Sequence, residues 1–199
     1  MSKKSALISR CPWPPLDDSL YVAYHDTEWG MPVHDDRKLY EFLVLETFQA
    51  GLSWRCVLHK RENFRAAFAR FDYRQVARFT ARDIKRLVGD AGIVRNQAKI
   101  KAAVNNAKRL LEVRDEFGTF AKYMWGWVNG KPIVNRFRTM KEVPPFDDVA
   151  ARWSKDLKQR GFQFLGPTVV YAHMQAVGMV NDHTVDCFRY KEVQKKRLT

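Results

Sequence analysis

Apolar residues recur along most of the chain at spacings of three and four, the period of a helix with one buried face, and strict alternation is scarce. After Asp35 and Asp36, the positions Leu39, Phe42, Leu43, Val44 and Leu45 predict a capped, heavily buried helix ending near Gly51. The next stretch, "RCVLHKRENFRAAFARF" (55–71), carries Val57, Leu58, Phe64, Ala67, Phe68 and Phe71 at helical spacing and reads as one helix. Thr80 and Asp83 form a capping box, with Asp in the Glu position, for a short helix through Ile84, Leu87 and Val88. Beyond the turn "GDAG", the series Ile100, Ala103, Val104, Ala107, Leu110 and Leu111 marks a longer one. Thr119 starts a helix through Phe120, Tyr123, Met124 and Trp127, and Asp147 or Asp148 starts another through Trp153 and Leu157, with Gly161 placed to end it. Pro167 suits the first turn of a final helix. Only "GKPIVNRF" (130–137) reads as extended. The pattern predicts an all-α class. No repeat or long linker divides it, so the expected organisation is one compact unit over 11–190, with two helical lobes and basic, disordered tails at 1–10 and 191–199.

Composition narrows the function classes. With 199 residues, 46% of them apolar, the chain can bury a proper core. No apolar run reaches the roughly 18 to 20 residues that cross a bilayer, and residues 1–10 lack the apolar stretch of a secretory signal, so a cytoplasmic protein without a membrane partner is expected. Three cysteines, Cys11, Cys56 and Cys187, argue against a disulfide framework and for thiols that are buried, reactive or metal-bound; Cys56 reads as a buried core thiol. The balance of 35 Lys and Arg against 22 Asp and Glu gives +13, a field suited to a polyanion through counterion release, or else a solvated basic surface.

Three constellations could carry chemistry. The turn "LVGDAGIVRNQAKI" (87–100) joins two helices through Gly89 and Gly92, with Arg95 and Lys99 following. It is either an ordinary helix–helix turn or a helix-hairpin-helix, spanning about 81–111, whose second helix offers unpaired N–H groups and a positive dipole end to a phosphate. In "LETFQAGLSW" (45–54), Glu46 follows Leu39 by seven residues, Phe42 by four and Leu43 by three, which places an acid on its helix's apolar face. It either turns to solvent near the helix end or is a buried, partnered carboxylate. Tyr21, Tyr24, Trp29 and Trp54 supply aromatic faces that, with one carboxylate, suit a flat cationic heterocycle. Finally, Cys11 and His25 near one end and His183 and Cys187 near the other are either unrelated residues or a Cys₂His₂ set for tetrahedral zinc.

The motifs "YHDTEWGMPVHDD", "LETFQAGLSWRCVLHKRENFRAAF", "DAGIVRNQAKI" and "GFQFLGPTVVYAHMQAVGMVNDH", with the Cys and His pairs at both ends, resemble the DNA-3-methyladenine glycosylase I family from about Cys11 to Cys187. The resemblance implies a helix-hairpin-helix glycosylase fold with a structural zinc on Cys11, His25, His183 and Cys187 closing the termini like a clasp. It implies that Glu46 contacts the excised base as the catalytic-site acid and that Tyr21, Tyr24, Trp29 and Trp54 build the base pocket. It further implies that Leu52, beside Gly51, wedges into double-stranded DNA; on the hairpin reading, Gly92, Arg95 and Lys99 hold its backbone. A monomeric, monofunctional hydrolase leaving an abasic site is the expected activity. The sequence departs from the family at Thr47, usually glycine, and His173, usually phenylalanine. Those departures leave room for a shifted lesion range, and a non-catalytic zinc-stabilised DNA-binding module is the other alternative.

Overall fold

The computed structural model describes residues 8–195. Eleven α-helices occupy this span: α1 Ser19–Thr27, α2 Asp36–Gln49, α3 Trp54–His59, α4 Arg61–Ala67, α5 Tyr73–Val76, α6 Ala81–Gly89, α7 Gln97–Phe117, α8 Phe120–Gly126, α9 Asp148–Gln159, α10 Pro167–Ala176 and α11 Phe188–Lys195. Two short strands, β1 Ile133–Val134 and β2 Val180–Asn181, pair in parallel. No helix of the described residues is long and apolar enough to cross a membrane.

Helix α2 organises the interior. Its residues from Leu39 to Phe48 are all buried, and it packs on α3, α7, α8 and α10. A helix apolar all round must be covered all round, and those neighbours do so. Asp35 caps it by accepting from the Lys38 N–H, and the chain leaves it through Gly51 at φ +80°. The capping side chains read from the sequence act as expected at Thr80/Asp83, Thr119 and Asp147.

The structure corrects the sequence-based reading in four places. The helix expected over 55–71 is interrupted at Lys60 and again after Ala67, where Ala69, Arg70 and Phe71 take left-handed φ values of 51°, 52° and 58°. The turn is held where Arg37 donates to the Arg70 carbonyl at 2.7 Å, and it lays Phe71 against Phe68, the rings 3° from parallel. Packing of three phenylalanines, Phe64, Phe68 and Phe71, outweighs the local left-handed strain. Cys56 is only partly buried. The basic tail placed at 191–199 does not start at residue 191: α11 runs to Lys195 and buries Val193. At the other end the Ser9 carbonyl accepts from the Phe188 N–H, and Arg10 pairs with Asp26. The rest of the expected tails, residues 1–7 and 196–199, lies outside the described residues.

Two glycines are required by close approach. A Cβ on Gly178, at φ +73°, would lie 2.5 Å from the Met31 carbonyl carbon and the Pro32 nitrogen. One on Gly30, at φ +77°, would meet His183 Nε2 at 2.9 Å. Both sit where the α1–α2 connection passes the C-terminal part of the chain, the region that assembles the site.

Candidate active site and metal centre

Cys11, His25, His183 and Cys187 converge in the interior, with one ligand atom from each inside a 4.8 Å span. Cys11 Sγ lies 3.5 Å and Cys187 Sγ 3.6 Å from His183 Nδ1, and Cys187 Sγ is 3.6 Å from His25 Nε2. Tetrahedral bonds of about 2.3 Å to sulfur and 2.1 Å to nitrogen separate S and N ligands by about 3.6 Å, which these three S···N separations match, so the donor set suits a tetrahedral metal ion. The outer nitrogens of both rings are engaged: His25 Nδ1 lies 2.7 Å from Asp26 Oδ1, and His183 Nε2 lies 3.2 Å from the Trp29 carbonyl. Such partners fix ring orientation toward a metal. His183 and Cys187 reach the cluster from the turn between β2 and α11, the loop arrangement and not the shared helical face.

Against this cluster stands an aromatic wall. Trp13 contacts His25 edge-on at 5.1 Å and Trp29 at 5.0 Å, and Trp29 contacts His183 at 4.6 Å. On the far side the same two indoles, with Tyr21, Tyr24, Trp54, Gln49, Met140, Ala172, Gln175 and Glu46, line a cavity of about 270 Å³. Tyr24 and Trp54 rings lie 5.1 Å apart.

Glu46 is 5% exposed, and no hydrogen bond or ion pair engages its carboxylate among the described residues. Burial pushes its pKa up to about 8. Burial, followed by the field of Glu46, likewise raises the phenol of Tyr24. Burying such an acid unpaired costs several kcal/mol, and a ligand donor entering the cavity would offset that cost. The indole N–H groups of Trp13 and Trp54 are also buried without partners among the described residues.

The four aromatic positions named from the sequence and Glu46 therefore share one cavity. Trp13, Gln49, Met140, Ala172 and Gln175 were missed. Trp13 carried a signal, an aromatic in "CPWPP" two residues from a ligand-type cysteine; Met140 and Gln175 arrive from distant segments and carried none. Thr47 and His173 do not line the cavity. Thr47 donates to the Leu43 carbonyl inside α2, and His173 lies in the packed interior beside Leu43, Trp153 and Leu157.

Leu52 is 41% exposed in the α2–α3 turn, between the cavity-lining Gln49 and Trp54, its N–H donating to the Gln49 carbonyl at 2.7 Å. In the α6–α7 turn Arg95 is exposed. The Gly92 N–H is used by Asp90 Oδ1 at 2.8 Å, and Gly92 packs against Asn63. Lys99 is the residue the structure relocates. Its side chain does not face outward toward a phosphate: it is buried, and its ammonium donates to the carbonyls of Phe48, at 2.9 Å, and Ala50.

A family model for methyladenine glycosylases matches residues 13–190. The DNA-3-methyladenine glycosylase 1 of Escherichia coli is 46% identical over 183 residues, covering 92% of this chain and 97% of that protein. The crystal structure of a 3-methyladenine DNA glycosylase I superposes with a TM-score of 0.88 at 43% identity, over 90% of this chain and 98% of that one. A 3-methyladenine DNA glycosylase I from Staphylococcus aureus, whose structure concerns 3-methyladenine recognition, gives 0.84 at 41% identity over 86% and 91%. In sequence and in fold, this chain belongs to the methyladenine glycosylase family.

Proposed function

We propose that the protein is a monofunctional DNA glycosylase that hydrolyses the bond between 3-methyladenine and deoxyribose in alkylated DNA. It acts as a cytoplasmic monomer on double-stranded substrate and leaves an abasic site. Family membership supports the activity class, and the observation that carries the site is Glu46, buried and unpartnered on an aromatic cavity.

The chemistry asks little of a proton donor. Methylation at N3 makes adenine cationic, so the base leaves with the bonding electron pair as a neutral molecule. Water adds to the sugar carbon and gives up a proton. What the protein supplies is extrusion of the nucleotide, a cost of a few kcal/mol that is least for a damaged base, and preference for a cation over neutral adenine. Glu46 provides that preference. With a pKa near 8 it is mostly protonated in the empty site at neutral pH, and a cationic ring lying against the faces of Tyr24 and Trp54 favours its carboxylate form. The carboxylate then accepts from the purine edge while Trp13, Trp29 and Tyr21 exclude water. No lysine lines the cavity among the described residues, in keeping with hydrolysis without a Schiff base.

Leu52, beside Gly51, fills the gap left in the duplex. The α6–α7 turn is a helix-hairpin-helix that grips the backbone, with Arg95 as its exposed cation and Gly92 needed for the close fit of the turn on Asn63. Cys11, His25, His183 and Cys187 would hold a zinc ion, and with four protein ligands its contribution would be structural, holding both ends of the chain and the aromatic wall. Because Thr47 and His173 stand outside the cavity, neither departure reshapes its lining toward a shifted lesion range.

Excision from methylated duplex DNA tests this reading. Wild type releases 3-methyladenine, and Glu46→Ala lowers kcat/KM about a hundredfold or more, in the range found when one transition-state contact is removed. Retained DNA binding without release by wild type would replace the enzyme with a binding module.

A further inference from the structure

Lysine in the first turn of a helix opposes the positive end of that helix's dipole, and Lys99 lies there, its N–H capped by Asn96 Oδ1 at 3.1 Å. Its burial also disfavours the charge and lowers its pKa. The compensation comes from another helix. Phe48 and Ala50, whose carbonyls receive the ammonium, belong to the end of α2, where helix carbonyls lack intrahelical donors and the dipole is negative. The same turn is closed by Gln49, which donates from Nε2 to the Leu52 carbonyl at 2.9 Å, and by Ser53, whose hydroxyl caps α3. Gly51 supplies the left-handed residue between them.

We infer that Lys99 is a positioning residue: a buried clamp from α7 that fixes the α2–α3 turn so that the exposed Leu52 stands preformed between the cavity-lining Gln49 and Trp54. This rests on the wedge role proposed for Leu52. A cation was expected here to meet phosphate; the geometry instead spends it on two carbonyls 49 and 51 residues away in sequence. The hairpin that meets the DNA backbone and the turn that enters the stack thereby move as one body. A clamp of this kind matters only when a base must be driven out of a duplex, since an unpaired strand has no partner stack to wedge.

The test compares Lys99→Met with wild type on duplex and single-stranded DNA carrying 3-methyladenine. On duplex, kcat falls about tenfold, the equivalent of one charge-assisted contact, with KM little changed. On the single strand the drop is absent, and the salt dependence of binding undamaged duplex is unchanged. In a Leu52→Ala background Lys99→Met adds no further loss, because the clamp acts through that side chain. Lys99→Gln, which keeps donors for the two carbonyls, recovers part of the duplex rate and serves if the methionine variant does not fold. Equal losses on both substrates, a reduced salt slope, or additive losses with Leu52→Ala would each overturn the clamp. If wild type released no 3-methyladenine, or Leu52→Ala left duplex excision intact, the functional reading beneath it would fail first.

Discussion

Two ionisable side chains in this protein are equally hidden, and they sit in regions of opposite character. Glu46 is 5% and His173 2% exposed, and neither is given a charged partner. Glu46 faces a 270 Å³ cavity walled by aromatic rings. His173 faces Leu43, Trp153, Leu157, Leu165 and Val170 with no comparable space; its Nε2 lies 3.4 Å from Met124 Sδ and its Nδ1 has no partner. Burial pushes both toward neutrality, Glu46 up to about 8 and His173 down to about 3. The same physical penalty thus leaves an acid facing open space in one place and only an imperfect core in the other. What separates them is room for a partner. An unpaired buried group beside a cavity is a receptor; one in close packing is a cost to stability.

Removing the metal should break this contrast most strongly. Trp13 and Trp29 form the wall between the cavity and the Cys₂His₂ cluster, whereas His173 is not among the residues touching it. Zinc analysis of the purified protein is expected to give one ion per chain. Chelation should cost at least about 3 kcal/mol, a fall in Tm of about 6 to 12 °C for a chain of this size. As the wall loosens, water reaches Glu46 and its pKa returns toward the usual carboxylate range. Full retention of Tm and of 3-methyladenine binding after chelation would show that the cavity stands without the clasp.

A smaller and more local change sharpens the comparison at Glu46. In the free protein its raised pKa means that the stability gained by keeping it protonated is full below about 4.5 and is lost as pH rises toward about 8. Glu46→Gln removes that decline. In catalysis the sign reverses, because the cationic base needs the carboxylate: wild-type kcat/KM should rise with pH up to about 8 and then level, and the glutamine variant should be slower and flat. A wild-type profile without that rise would mean that Glu46 is already ionised in the empty site.

How much of this could be read from residues alone depends on how local each cause is. The caps at Asp35, Thr80, Thr119 and Asp147 act within three or four residues, and the sequence carries them openly. Glu46 was legible as an acid on an apolar face and its four aromatic companions as candidate ring faces nearby in sequence, while the family resemblance joined them into one pocket. The break after Ala67 was not legible, because helical spacing continues through Phe68 and Phe71 and only their stacking selects the left-handed turn. β1 was visible as an extended piece, but its partner β2 lies 47 residues away in register. Lys99 looked like a surface cation because its acceptors belong to α2. The family departures at Thr47 and His173 could be spotted in sequence, but their distance from the cavity required the fold.

The smallest effect is expected at His173, and its sign is the most telling. His173→Phe exchanges a ring with an unpartnered nitrogen for an apolar ring of similar size. It should stabilise the protein by about 1 to 2 kcal/mol at neutral pH, raising Tm by about 2 to 8 °C, with excision unaltered. Its pH dependence mirrors that of Glu46. A histidine held neutral down to about pH 3 contributes stability that is complete above about 6.5 and lost as pH falls toward 3. Between about 4.5 and 6.5 the two groups therefore oppose each other, each with a slope of about 1.4 kcal/mol per pH unit, and their sum is nearly flat. Replacing His173 should expose a stability that declines with rising pH across that window, and replacing Glu46 one that climbs. Denaturant unfolding of both variants from pH 4.5 to 6.5 reads the two slopes; parallel curves would mean that these groups are not equally sealed from solvent, and the comparison would no longer hold.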